Sequence, residues 1–186
     1  MRTITVALGE KTYNIEIAAG LLDQIGAKAR VLSQAVKAAI ISDSNVDPLY
    51  GERLERSLAA SGFEVTRIVF AAGEQSKNLT VLGQVYDELA RVGLTRSDLI
   101  LTLGGGVPGD LGGFAAATFL RGIDFIQVPT SLLAQIDSSV GGKVAIDLPS
   151  GKNLAGSFYQ PKAVRSEEHT SELQSPFYLV CRLLLE

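Results

Sequence analysis

Tryptophan is absent from this 186-residue chain, and histidine, cysteine and methionine occur once each. One cysteine permits no internal disulfide. His169 and Cys181 both lie in the last 22 residues, so residues 1–164 contain neither type. That stretch alone supplies no Cys/His zinc site, Ser-His-Asp triad or cysteine nucleophile. A basic block is missing too: 17 Lys and Arg are scattered among 20 Asp and Glu, for a net charge of −3. No electrostatic footprint for nucleic acid results. The most apolar stretch, Val107 to Val128, is broken by Asp110, Arg121 and Asp124, which excludes a helical membrane span. The opening MRTITVALGEKTYNIEI has no apolar core of secretory type, so a cytoplasmic location with no membrane partner is expected.

What is present is a substantial apolar fraction, 46% of residues against 20% charged, enough to build a core. Thr3–Leu8 and Tyr13–Ile17 alternate as strands around a Gly9-Glu10-Lys11 turn. Gly20–Leu32 and Pro48–Ala60 have helical spacing, as does the segment from Asn78 to about Val92, where Asn78 is a capping residue. Lys37–Ser42, Glu64–Phe70, Asp98–Leu103 and Phe125–Val128 read as strands. Strands alternating with helices predict an α/β fold, a Rossmann-like mainly parallel sheet with flanking helices. Ligands on such sheets bind at the carboxyl ends of the strands.

The alternation stops at Arg165. Residues 165–186, RSEEHTSELQSPFYLVCRLLLE, begin with a polar run lacking an apolar period and end in a short apolar run without a cap. RSEEHTSELQS resembles the in-frame translation of a sequencing-library adapter. The expected organisation is therefore an α/β domain over 1–164 and a non-native, irregular tail over 165–186. Without that tail, 15 basic and 16 acidic side chains remain. His169 is given no role.

Chemistry is densest from Leu99 to Phe119. A buried strand empties into Gly104-Gly105-Gly106 and then an Ala-rich helix, so backbone N–H groups converge where no side chain blocks a pyrophosphate. The turn and helix start run through Gly105, Gly106, Val107, Pro108, Gly109 and Asp110. Asp110 stands where a P-loop would need lysine, and suits ribose hydroxyls or nicotinamide better than phosphate. Pro108 offers no N–H. Asp43 and Asn45 follow an earlier strand, where an acid can accept both hydroxyls of an adenosine ribose or simply form an Asx turn. Gly73-Glu74-Gln75-Ser76-Lys77 occupies the corresponding loop after the next strand, and a solvated loop would look the same. A second dense element, Val128–Asn153, sets Thr130, Ser131, Asp137, Ser138, Ser139, Lys143, Lys152 and Asn153 among glycines and apolar residues. Lysines in that setting fit a pocket for an anionic substrate; the plain alternative is a polar hairpin.

GGGVPGDLGGFAAATFLRGIDFIQVPTSLLAQIDSSVGGK closely resembles the signature of the 3-dehydroquinate synthase family, and the likeness runs from about residue 1 to Val164. Family members are roughly twice this long, with an NAD-binding α/β half followed by an all-α half. The resemblance implies that Asp43 and Asn45 hold the adenosine side of NAD, and that the loop Ala72, Gly73, Glu74, Gln75, Ser76 and Lys77 contacts it. It implies that Gly105 through Asp110 cradle the pyrophosphate, with Thr130 and Ser131 beside the nicotinamide half. Lys143 and Lys152 would bridge cofactor and substrate, and Asp137 would bind a substrate hydroxyl. Asn153 and Lys143 would hold the substrate phosphate, which Arg121 would reach from the other subunit of a homodimer.

The implied reaction converts a small-molecule sugar-acid phosphate, 3-deoxy-D-arabino-heptulosonate 7-phosphate, into 3-dehydroquinate and phosphate in the shikimate pathway. It is a phosphate-eliminating lyase reaction with NAD as a catalyst. The family also uses a divalent metal, zinc or cobalt, held by a Glu and two His that come after the point where this chain departs from the pattern. A chain of this extent is expected to keep NAD surface and to turn over negligibly. Deoxy-inosose and valiolone synthases share the glycine and DSSVGGK patterns, and a metal-dependent polyol dehydrogenase shares the GGG-x-x-x-D turn. A bare nucleotide-binding module is the non-enzyme alternative.

Overall fold

In a computed structural model, residues 1–167 are described. Nine strands and four α-helices follow one another: β1 (Arg2–Val6), β2 (Tyr13–Ala18), α1 (Ile25–Leu32), β3 (Lys37–Asp43), α2 (Glu52–Ala60), β4 (Glu64–Phe70), α3 (Leu79–Arg91), β5 (Leu99–Gly104), α4 (Gly106–Thr118), β6 (Asp124–Pro129), β7 (Lys143–Leu148), β8 (Gly151–Phe158) and β9 (Ala163–Glu167). Seven strands form one sheet in the order β1-β2-β9-β6-β5-β3-β4. Only β1 and β2 pair antiparallel; every other neighbour in that sheet is parallel. The α/β expectation therefore holds.

Period-two alternation along β3 explains the three layers. Ala38 and Ile40 pack with Leu54 and Leu58 of α2 and Ile25 and Ala29 of α1, whereas Ala39 and Ile41 face Leu82, Val85 and Leu89 of α3 and Leu111 and Ala115 of α4. Every residue of β5 is buried, as its unbroken apolar run requires of a central parallel strand. Asn78 caps α3 by accepting from Val81 N at 3.0 Å, one of the orphan donors of a helix start. Two helical expectations are shortened. Gly20–Leu32 resolves into a 3-10 turn at Leu22–Gln24 and then α1, and Pro48–Ala60 into a wide turn over Asp47–Gly51 and then α2.

β7 and β8 form a separate antiparallel hairpin. It packs on α4, where a Cβ on Gly113 would stand 2.4 Å from Val144 Cγ1. The close approach of helix and hairpin thus depends on that glycine.

The expected break after Val164 falls inside β9, which lies between β2 and β6 and carries Arg165, Ser166 and Glu167 buried into the sheet. Backbone pairing continues there because β2 offers parallel partners to Ala18, opposite Glu167. Glu167 Oε2 also accepts from Leu22 N at 2.8 Å. The remaining tail, with His169 and Cys181, lies outside the described residues.

Candidate functional site

The carboxyl ends of β3, β4, β5 and β6 deliver four loops to one side of the sheet. Those after β3 and β4 are stitched together: Ser44 N donates to Phe70 O at 2.9 Å and Ala72 N to Ser44 Oγ at 3.0 Å. Asp43, buried at the end of β3, uses Oδ1 to accept from Asn45 N at 2.9 Å and Val46 N at 3.0 Å. The Asx-turn geometry weighed for this acid is therefore present, while Asn45 is exposed. Gly73 has φ +115°, a backbone that a side chain would strain. It leads into a 3-10 turn at Glu74–Ser76. Glu74 and Gln75 are exposed, Ala72 half-buried and Ser76 buried.

After β5 the chain turns through Gly104, at φ +152°, where a Cβ would meet Pro108 Cγ at 2.5 Å. Gly105 is the N-cap of α4 and no side chain caps that helix. The N–H groups of Gly106 and Val107 consequently lack intrahelical acceptors. Pro108 has no N–H, and Gly109 N returns to Gly105 O at 3.2 Å. Hydroxyls face this turn from the segment after β6: a Cβ on Gly105 would lie 3.4 Å from Ser131 Oγ, and one on Gly106 3.6 Å from Ser138 Oγ. Thr130 is buried and donates its backbone N–H to Gly104 O at 2.9 Å.

Behind the turn, Gly104, Gly105, Gly109, Gln127, Ser138 and Ser139 enclose about 10 Å³, room for about one water. Ser139 is only 2% exposed, and its hydroxyl has no hydrogen-bond partner. A positive helix end and glycines that keep its N–H groups bare suit an anion laid along the turn. Sequence reasoning named Ser139 without giving it a role, because a serine gains significance here only through burial.

A larger cavity of about 480 Å³ opens beside it, lined by Asp110, Asp137, Ser138, Lys143, Asn153 and the apolar Leu154 and Phe158, among others. Asp110, Asp137, Lys143 and Asn153, each given a role from the sequence, therefore meet. Lys143 Nζ lies 3.2 Å from Asp137 Oδ1, and both are exposed, so the pair is screened and readily opened. Asp110 sits deeper. Burial raises its carboxyl above the ordinary value, against the pull of the Lys77 ammonium that donates to it. Lys152 instead reaches Glu74 Oε1 at 3.3 Å, across to the β4 loop.

Arg121 is not brought to this site. It follows α4, exposed, at φ +66°, immediately before β6 begins. That is the amino-terminal edge of the sheet, opposite the loops just described. Among the described residues no three His, Cys, Asp or Glu side chains converge to hold a metal ion, and no helix is long and apolar enough to cross a membrane.

Sheet order, glycine turn and flanking hairpin define the class: a Rossmann-like α/β domain. A 2-deoxy-scyllo-inosose synthase complexed with carbaglucose-6-phosphate, NAD+ and Co2+ matches it with a TM-score of 0.86 and 28% identity, over 94% of this chain and 48% of that one. The valiolone synthase ValA of Streptomyces hygroscopicus subsp. jinggangensis, with NAD+ and Zn2+ bound, matches with a TM-score of 0.76 and 28% identity, over 89% and 45%. Residues 67–175 match the 3-dehydroquinate synthase N-terminal family, and the chain belongs to that family. A 3-dehydroquinate synthase of Clostridium acetobutylicum is 56% identical over 164 residues, 88% of this chain and 46% of that protein. The chain thus spans about half the length of such relatives.

Proposed function

We propose that this domain is the NAD-binding half of a 3-dehydroquinate synthase, acting on 3-deoxy-D-arabino-heptulosonate 7-phosphate as a cytoplasmic homodimer. The observation that carries this reading is the adjacency of two features: the bare N-terminus of α4 at the glycine turn, and a polar cavity bearing Lys143, Asp137 and Asn153. Bound NAD would supply a reversible hydride acceptor. The Gly106 and Val107 N–H groups would face its diphosphate, with Asp43, Asn45 and the Ala72–Lys77 loop on the adenosine side and Thr130 and Ser131 on the nicotinamide side. Because the enclosed space behind the turn holds only about one water, the diphosphate would lie along the outer glycine surface.

On the substrate side, the exposed Lys143–Asp137 pair would part to grip a phosphate oxygen and a hydroxyl, and Asn153 would hold the same phosphate. Lys152, paired with Glu74 of the β4 loop, would bridge the two halves. Arg121, at the opposite sheet edge, contributes only to a neighbouring subunit's site. Zinc or cobalt would act as a Lewis acid on the carbinol being oxidised, but the described residues offer no ligand set for it. For this stretch of chain alone our reading is NAD binding without turnover. Another cyclase specificity is favoured by the TM-score of 0.86 to the inosose synthase, but identity to the dehydroquinate synthase relative is 56% against 28%.

The test is calorimetric titration of NAD into the chain and its Gly106→Ala variant. A Cβ there has Ser138 Oγ at 3.6 Å as its nearest neighbour, so the fold survives while the anion surface is obstructed. Affinity should fall at least tenfold, about 1.4 kcal/mol. No NAD binding by the native chain, or equal affinity for the variant, would overturn the cofactor reading. Dehydroquinate formation with added zinc would overturn the expectation of no turnover.

A further inference from the structure

The β7–β8 hairpin stands outside the main sheet, yet it carries Lys143, Lys152 and Asn153. Its turn end is fastened to the β4 loop and to α4 through Lys77. This lysine is 4% exposed. Its ammonium donates to Asp110 Oδ2 of α4 and, at 2.5 Å, to Asn153 Oδ1 of β8. Its carbonyl accepts from Asp147 N of β7 at 2.7 Å. Asp147 Oδ1 in turn accepts from Asn153 N at 2.7 Å.

Asn153 has φ +56°, a left-handed backbone in a residue that is not glycine. Such a conformation persists only where its surroundings over-determine it. Here Asp147 holds the backbone N–H and Lys77 the side-chain oxygen. The ammonium is buried and bonded to two side-chain oxygens from different elements.

We propose that Lys77 is a positioning residue: it sets the left-handed conformation of Asn153 and seats the hairpin turn on α4, fixing the cavity wall relative to the glycine turn. Naming the two sides as substrate and cofactor rests on the preceding reading; the positioning itself does not. A buried amine suits the task because one group offers three donors to acceptors arriving from different elements.

Amide hydrogen exchange by NMR on the ligand-free chain tests this. In Lys77→Met, the Asp147 and Asn153 amides should exchange at least tenfold faster and the Asn153 side-chain amide resonances should move, with Leu99–Leu103 amides unchanged. Asn153→Gly removes the side-chain oxygen and the backbone strain together, so adding Lys77→Met to it should raise exchange at Asp147 by less than threefold. Unchanged protection in Lys77→Met, or an undiminished effect in the glycine background, would overturn the proposal. Should Lys77→Met lose protection throughout β5, Lys77→Gln decides: it keeps a donor for Asn153 and should preserve Asn153 protection, whereas tenfold loss there would count against it. None of these measurements contains NAD, so a failed NAD titration bears on the cofactor reading alone.

Discussion

Replacing Arg165 by isoleucine should stabilise the domain, although it deletes an ion-paired side chain. Arg165 is 5% exposed in the middle of the sheet. Its Nη2 lies 3.4 Å from Glu16 Oε1, its Nη1 makes long bonds of 3.4 Å to Asn14 O and 3.3 Å to Val164 O, and its Nε is buried without a partner. Burial pushes the guanidinium below its ordinary value. Removing one member of a buried pair usually harms a protein by stranding the other charge. Glu16, however, keeps Lys28 Nζ at 2.7 Å. The neighbouring Ser166 is buried with an unsatisfied hydroxyl, and it points to the opposite face. Each unsatisfied buried group costs about 1–3 kcal/mol. Allowing for imperfect repacking, Arg165→Ile with Ser166→Val should gain roughly 2–4 kcal/mol, or roughly 4–16 °C in Tm for a domain of this size. Urea unfolding followed by circular dichroism measures it, with the single variants adding to within about 0.5 kcal/mol because their faces differ. A loss of stability in Arg165→Ile would refute the reasoning, since it would make the Glu16 contact worth more than desolvation takes.

Two further outcomes follow from the packing. Asp98 is buried; burial works to raise its carboxyl, but hydrogen bonds from Lys37 N, Thr95 N and the Thr95 hydroxyl outweigh it and hold the group below 3.8. A depressed folded value stabilises above the unfolded one. Asp98→Asn should therefore cost about 1–3 kcal/mol at neutral pH, and the difference should shrink as pH falls from about 3.8 through the folded value. A pH-independent gap between the two unfolding curves would contradict this. Gly113→Ala should cost about 1–3 kcal/mol by forcing α4 off Val144. Val144→Ala should recover part of that loss in a double-mutant cycle, and simple additivity would show that the contact is not the cause.

Much of the fold is written in local pattern. β3, β4, β5 and β6 each read as β-rich runs, and the glycine turn is visible because Leu99–Leu103 meets three glycines before an Ala-rich helix. Loops at strand ends inherit their places from that alternation, which is why Asp43, Gly73–Lys77, Gly105–Asp110 and Thr130 gather on one side. Pairing order is not local. β9 enters between β2 and β6, so residues 165–167 acquire a buried setting that their polarity does not announce. Arg165 and Ser166 show the cost, since backbone pairing accepts any side chain while the layer around it does not.

Site geometry divides along the same line. Residue type indicates that Lys143 or Asp110 carries chemistry, but which oxygen an ammonium meets depends on contacts far apart in sequence. Lys77 and Lys152 look equivalent as lysines in glycine-flanked polar stretches. In the fold, one is buried against Asp110 and Asn153 and the other is exposed beside Glu74. Ser139 is the complementary case, a small hydroxyl in a DSSVGG run whose lack of a partner exists only once β6 and α4 have closed over it. The difference between the two lysines arises from the hairpin's seat on α4. A substitution that leaves every predicted ligand intact, such as Gly113→Ala, should therefore disturb the cavity as surely as removing Lys143.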